Sequence, residues 1–205
     1  MPRTAADNQR LKDERREEIL RAALAVFARK GLAAAKISDV AQAAGLSHGL
    51  VYHYFESKEA IYAALVEELF ARVNADLDAI AACDRTPLAR IRAFVEHRLA
   101  RLAVEPEMFR LVVQAFLHPD AIPPSTREVL ERFAGRCLHV MAAAIREGQA
   151  SGEIVAGEPE SLAAALFAVM NGLSMSQLFE LDVPRVVPGV EVILGLLIPA
   201  RPVAH

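Results

Sequence analysis

The chain has 205 residues, 54% of them hydrophobic, with three Tyr, no Trp, two Cys and a formal net charge of −3. That length buries a sizeable core in one or two domains, and two cysteines, Cys83 and Cys137, make neither a disulfide framework nor a metal-ligand cluster. The opening MPRTAADNQR lacks the apolar run of a signal peptide, and the most apolar stretch, 161–179, is interrupted by Asn171, Ser174, Ser176 and Gln177, so a cytoplasmic protein outside the membrane is expected.

Charge is unevenly distributed. Through residue 60 there are ten Lys or Arg against eight Asp or Glu, a balance of +2; the remainder holds 13 against 18, a balance of −5. The basic excess lies where phosphate binding would need it, at the N-terminal third.

Residues 1–12 are polar without periodicity and read as a mobile arm, whose Arg3, Arg10 and Lys12 are either solvated or within reach of a phosphate or minor groove. A helix is expected over 13–30, with Ile19, Leu20, Ala23, Leu24 and Phe27 as its apolar stripe and Gly31 as its stop. In the next stretch Ile37, Val40 and Ala41 share a helical face, Gly45 suits the left-handed residue that closes a helix, and Ser47 suits the N-cap of a second helix. There Val51 and Phe55 point inward and leave His48, Gly49, Leu50 and His53 mainly outside. Two short helices joined by a Gly-containing turn form the helix-turn-helix pattern, whose second helix reads the major groove.

The strings Gly45-Leu46-Ser47, Val51-Tyr52-His53-Tyr54-Phe55 and Ser57-Lys58-Glu59, extended upstream through Ile19-Leu20, Ala23, Phe27, Gly31, Ile37, Val40-Ala41 and Ala44, closely resemble the signature of the TetR family of bacterial transcriptional regulators. The resemblance covers roughly the first third of the chain. It implies a helix-turn-helix domain over 13–57, a connecting helix over 58–80 within a helical ligand-binding and dimerising domain over 58–200, and a tail over 201–205. It further implies a homodimeric repressor that a small effector releases from a double-stranded, near-palindromic DNA operator, with no cofactor.

On this reading Ser47 caps the recognition helix and offers a hydroxyl to phosphate, and His48 reaches guanine or phosphate. Gly49 allows close backbone approach, Leu50 touches thymine methyls, and His53 reaches phosphate or base. Tyr52, Tyr54 and Lys58 resemble the family's phosphate-contacting positions. The chain departs from the family where Thr is common, at Ala35, Lys36 and Leu50. Lys36 replaces a capping hydroxyl by charge, and the recognition helix has no Arg or Lys for a bidentate guanine contact.

Downstream, 58–80 runs without Pro or Gly, about 35 Å of helix with Ile61, Leu65, Leu69 and Val73 on its inner face. Helices are expected over 87–104, 107–118, 125–149, 159–181 and 188–197, an all-α chain without a convincing strand. Phe94, His97, Met108, Phe109, Val112, Phe116, Phe133, Cys137 and Met141 either line an effector pocket, with Gln114 as a further polar group, or form ordinary core. Their composition suggests a largely apolar effector. The last two helices are apolar on more than one face, which places Leu162, Leu166, Val169, Gly172, Leu173, Val190, Ile193, Leu194 and Leu197 at a subunit interface. His97, His118 and His139 lack metal-ligand spacing, and Cys83 and Cys137 read as free thiols before a redox pair. The rival readings are a dimeric regulator without an effector and, remotely, a helical enzyme, although no G-x-S-x-G motif or phosphate-cradling Gly loop occurs.

Overall fold

The computed structural model describes residues 5–82, 84–176 and 188–199. Among them are nine α-helices and no strand. The first, α1 (Ala5–Ala34), begins eight residues before the expected start at Asp13 and takes in most of the expected arm. Apolar periodicity does not support that extension. Local polar pairs do: Gln9 Nε2 donates to Asp13 Oδ1 (2.8 Å), Arg10 pairs with Glu14 (3.2 Å) and Arg15 with Glu18. The helical path breaks at Gly31, whose φ of 74° an L side chain would resist.

Helix α2 (Ile37–Ala44) starts from Lys36, whose N–H donates to Asp39 Oδ2 at 3.0 Å. Asp39 therefore caps α2 from inside its first turn, and a lysine suffices at the position where a hydroxyl was expected. Gly45 (φ 67°, ψ 28°) closes α2 in the left-handed conformation, with Leu46 N–H donating to the Ala41 carbonyl at 2.9 Å. In α3 (His48–Tyr54) the expected cap forms: Ser47 Oγ accepts from Leu50 N–H at 3.3 Å. Ser57 Oγ accepts from Ala60 N–H at 3.0 Å and opens α4 (Lys58–Ala82), whose 25 residues span about 37 Å.

The remaining helices are α5 (Pro87–Val104), α6 (Pro106–Leu117), α7 (Pro124–Ala150), α8 (Pro159–Ser176) and α9 (Val190–Leu194), with a 3-10 turn at Pro119–Ala121. Four of these five begin at a proline, which has no N–H to leave unpaired. Residues 177–181 of the expected eighth helix lie outside the described residues. The ninth is shorter than expected because the chain turns after Leu194.

Two apolar cores result. The first joins Ile19, Phe27, Val40, Val51 and Phe55 of the N-terminal helices to Ile61 through Val73 of α4, and continues into Leu111 and Ala115 of α6 and Leu130 of α7. The second gathers Leu77, Ile91, Phe94, Val95, Met141, Ile145, Leu166, Ile193, Leu194 and Leu197. Helix α4 thus passes from one core to the other between Val73 and Leu77, and Phe133 packs against both.

This second core corrects part of the expected subunit interface. Leu166, Ile193, Leu194 and Leu197 are at most 2% exposed within their own chain, and Leu162, Leu173 and Val190 are half-buried against the same core. Segments apolar all round do not reveal which face turns inward. Of the nine, Val169 and Gly172 remain on the surface.

Candidate nucleic-acid interface and ligand cavity

The outer side of α3 is built from the pattern that buries its inner side. Val51 and Phe55 are buried, and the Arg16 guanidinium lies 5.3 Å over the Phe55 ring, fixing α3 against α1. His48, Gly49, Tyr52 and His53 consequently face solvent, with Leu50 and Tyr54 half-buried. The rings of His48 and Tyr52 meet edge to face at 4.9 Å, and those of His53 and Tyr54 at 5.3 Å, so the polar tips stand on partly ordered side chains. A side chain added at Gly49 would meet open space, which leaves the backbone approachable. Ser47 and Lys36 are exposed at the N-termini of α3 and α2.

Lys58 departs from its expected role at phosphate. Its Nζ donates to the carbonyls of Leu32 (2.8 Å), Ala33 (3.0 Å) and Ala35 (3.1 Å), which engages all three protons of the ammonium. It closes the chain segment after the Gly31 break. Beside it, Lys30 Nζ lies 2.9 Å from Asp39 Oδ1, and this bond, followed by the Lys36 N–H bond, holds the Asp39 carboxyl below its ordinary value.

A cavity of about 210 Å³ opens between α4, α5, α6, α7 and α8. Six expected residues line it: His97, Met108, Phe109, Val112, Phe116 and Phe133. Phe70 of α4 stacks on Phe133 with centroids 4.0 Å apart and planes at 12°, forming one wall. Phe94, Cys137 and Met141 do not reach this cavity; they face the second core, where each is at most 6% exposed. Gln114 turns the other way and donates to the Ala28 carbonyl of α1 at 3.0 Å. Gly172, expected at a subunit interface, is exposed and also borders the cavity.

The sequence reading missed the polar end, formed by Asp76, Arg98 and Arg101 with His97. His97 Nδ1 lies 3.2 Å from Asp76 Oδ2, Arg101 pairs with Glu105 at 2.7 Å, and the Arg98 guanidinium lies 5.1 Å over the Phe109 ring. The readable signal was Arg98 itself, three or four residues from Phe94, Val95 and Leu102 and so on an apolar stripe. Burial pushes the Cys137 thiol up to about 11, which keeps it protonated and unreactive at neutral pH. Cys83, its partner in the redox reading, lies outside the described residues. No three His, Cys, Asp or Glu side chains gather as metal ligands among the described residues, and no helix there is long and apolar enough to cross a membrane.

A serine-capped short helix that shows His48, Gly49, Tyr52 and His53 to solvent from a buried helical base defines a helix-turn-helix DNA-binding domain. Residues 19–65 match the model "Bacterial regulatory proteins, tetR family", and residues 87–185 match "Tetracyclin repressor-like, C-terminal domain". The chain belongs to the TetR family of DNA-binding transcriptional regulators. Its relatives include the HTH-type transcriptional repressor NicS of Pseudomonas putida, 27% identical over 68% of this chain and 66% of that protein. The HTH-type transcriptional repressor KstR2 of Mycobacterium tuberculosis is 34% identical over 50% of this chain and 55% of that one. The matches thus span about 55–66% of those relatives' length. A TetR-family regulator from Agrobacterium tumefaciens shares the fold at a TM-score of 0.74 and 17% identity, over 90% of this chain and 94% of its own. Regulatory protein TetR from Rhodobacter sphaeroides gives 0.66 and 28%, over 78% and 86%.

Proposed function

We propose that this protein is a homodimeric repressor that leaves a near-palindromic operator when a small molecule fills the cavity. The relatives named as repressors support the sign of regulation. The carrying observation is the double role of α6. One side of it, through Met108, Phe109, Val112 and Phe116, lines the cavity. The other, through Leu111 and Ala115, belongs to the core of the reading head, and Gln114 is bonded to α1. A ligand that moves α6 therefore acts on the base of α3 without touching it. Helix α4 runs in parallel, from Lys58 at the head to Leu69, Phe70 and Val73 in the cavity wall.

The operator contacts we assign are Ser47, His48, Gly49, Leu50, Tyr52, His53 and Tyr54, with Lys36 at phosphate. Lys58 we assign to the support of the head. The dimer face we assign to the exposed small-residue side of α8, Ala164, Ala165, Ala168, Val169 and Gly172, with Val192 and Leu196 of the α9 region, which are 70% and 46% exposed. Two-fold symmetry then presents two α3 helices to two half-sites. The site of action is the cytoplasm, where the operator is.

The test is a mobility-shift titration on DNA flanking the coding region, with and without ligands that raise the melting temperature. The expected result is a specific complex whose affinity falls by about 5–150-fold with ligand, and DNA that weakens ligand binding by the same factor. A specific complex that no cavity ligand alters would instead support the effector-free regulator.

A further inference from the structure

The cavity's polar end has an imbalance of charge. Asp76 is shared between His97 at 3.2 Å and Arg101 at 4.0 Å, and Arg101 also holds Glu105 at 2.7 Å. Arg98 is half-buried beside them, and among the described residues no carboxylate lies within 4.0 Å of it. Its guanidinium rests on the Phe109 face, 5.1 Å from the centroid, and desolvation lowers its pKa from the ordinary arginine value. A guanidinium keeps its charge even so, and among the described residues no protein acceptor is hydrogen-bonded to its five N–H donors, which leaves them to solvent or a ligand. With Arg98 and Arg101 against Asp76, the lining carries a net charge of +1 with His97 neutral.

We propose that the ligand of this cavity is a small monoanion: one carboxylate taken by the Arg98 fork, on an apolar body about one ring in size. The proposal rests on the reading of this cavity as the effector site. Arg98 offers parallel N–H donors to two oxygens, and the Phe109 plane beneath it fixes the direction of the fork. Phe116, Val112 and the stacked Phe70–Phe133 pair supply the apolar walls. Size follows from volume: an apolar cavity of about 150 Å³ takes a benzene ring, so about 210 Å³ takes a ring with a short side chain. Asp76 disfavours a second negative charge on the ligand, and its Oδ2 is shared between His97 and Arg101.

The test compares acids with their neutral isosteres on the full chain by calorimetry: phenylacetate and 3-phenylpropionate against phenylacetamide and 3-phenylpropionamide. The expected result is that the acids bind about ten- to a hundredfold more tightly than the amides, as a charge-assisted bidentate contact provides. Arg98→Gln is expected to bring that ratio within about twofold, and Arg98→Lys to retain part of it. Equal binding of acid and amide, no binding of either at millimolar concentration, or a ratio unchanged in Arg98→Gln would each overturn the proposal. A mobility shift on flanking DNA, run in parallel, separates the two readings. Acids that bind through Arg98 without releasing DNA leave this proposal standing and sink effector release. DNA released by the amides alone does the reverse.

Discussion

Lys58 and Lys36 lie close in space to the same turn, yet only one of them is open to solvent. Lys58 holds three carbonyls around the Gly31 break, so Lys58→Ala is expected to cost about 1–3 kcal/mol in urea unfolding. Its effect on the slope of log K against log salt in DNA binding should be negligible. Lys36 is exposed and carries its charge outward. Lys36→Ala is expected to lower that slope by about 0.9, one phosphate contact, with stability held within about 0.5 kcal/mol. A slope change in Lys58→Ala instead would return that residue to phosphate. Asp39 adds a pH dependence. Lys30 and the Lys36 N–H hold its carboxyl below 3.8, so the stability it contributes is fully present above that value and is lost as pH falls through the lower folded-state pKa. Asp39→Asn should flatten the acid limb of a melting-temperature profile below about pH 4. At this scale the sequence was informative about caps, since Ser47 and Gly45 act as their chemistry requires. It was silent on Lys58, because the carbonyls it holds are 23 to 26 residues away.

Among the helices, α6 has the most to lose from a change on either side. Leu111 is wholly buried in the core of the head, and Leu111→Ala is expected to destabilise the protein by about 2–5 kcal/mol in chemical denaturation. Gln114→Ala is the finer probe. It removes the bond to the Ala28 carbonyl and leaves the cavity wall intact, so the factor by which ligand weakens DNA binding should shrink several-fold. If that factor is unchanged, α4 carries the coupling without α6. Apolar periodicity read the existence of α2 to α8 well because each has a buried stripe. It failed at the N-terminal turns of α1, which polar pairs sustain, and it gave α6 no orientation, because Phe109, Val113 and Phe116 make a second apolar face beside that of Leu111 and Ala115. For Phe94, Cys137 and Met141 the sequence leaves lining and core both open for a related reason: size and hydrophobicity mark a lining residue and a core residue alike.

For the whole molecule, the exposed side of α8 decides whether the two reading heads are held at a fixed spacing. Ala168→Arg places charge on that side, and sedimentation should then report a monomer that retains its helical circular dichroism while operator affinity drops at least tenfold. Leu166→Arg, two residues earlier on the opposite, buried side of α8 and 0% exposed, should fail to fold at all. A dimer that survives Ala168→Arg would remove α8 from the interface. A larger consequence lies in the core that runs unbroken from Ile19 and Phe27 through Phe70 to Leu111 and Leu130. Reading head and ligand chamber share walls, so they should melt in a single calorimetric transition with matching van't Hoff and calorimetric enthalpies. Residues 13–57 cut free should not fold, for lack of their own floor. Such a head is not a cartridge. Grafted onto another chamber, it would recognise its operator only after the facing surfaces of α4 and α6 had been refitted to it, so new specificities in this chain must arise by changing side chains in place.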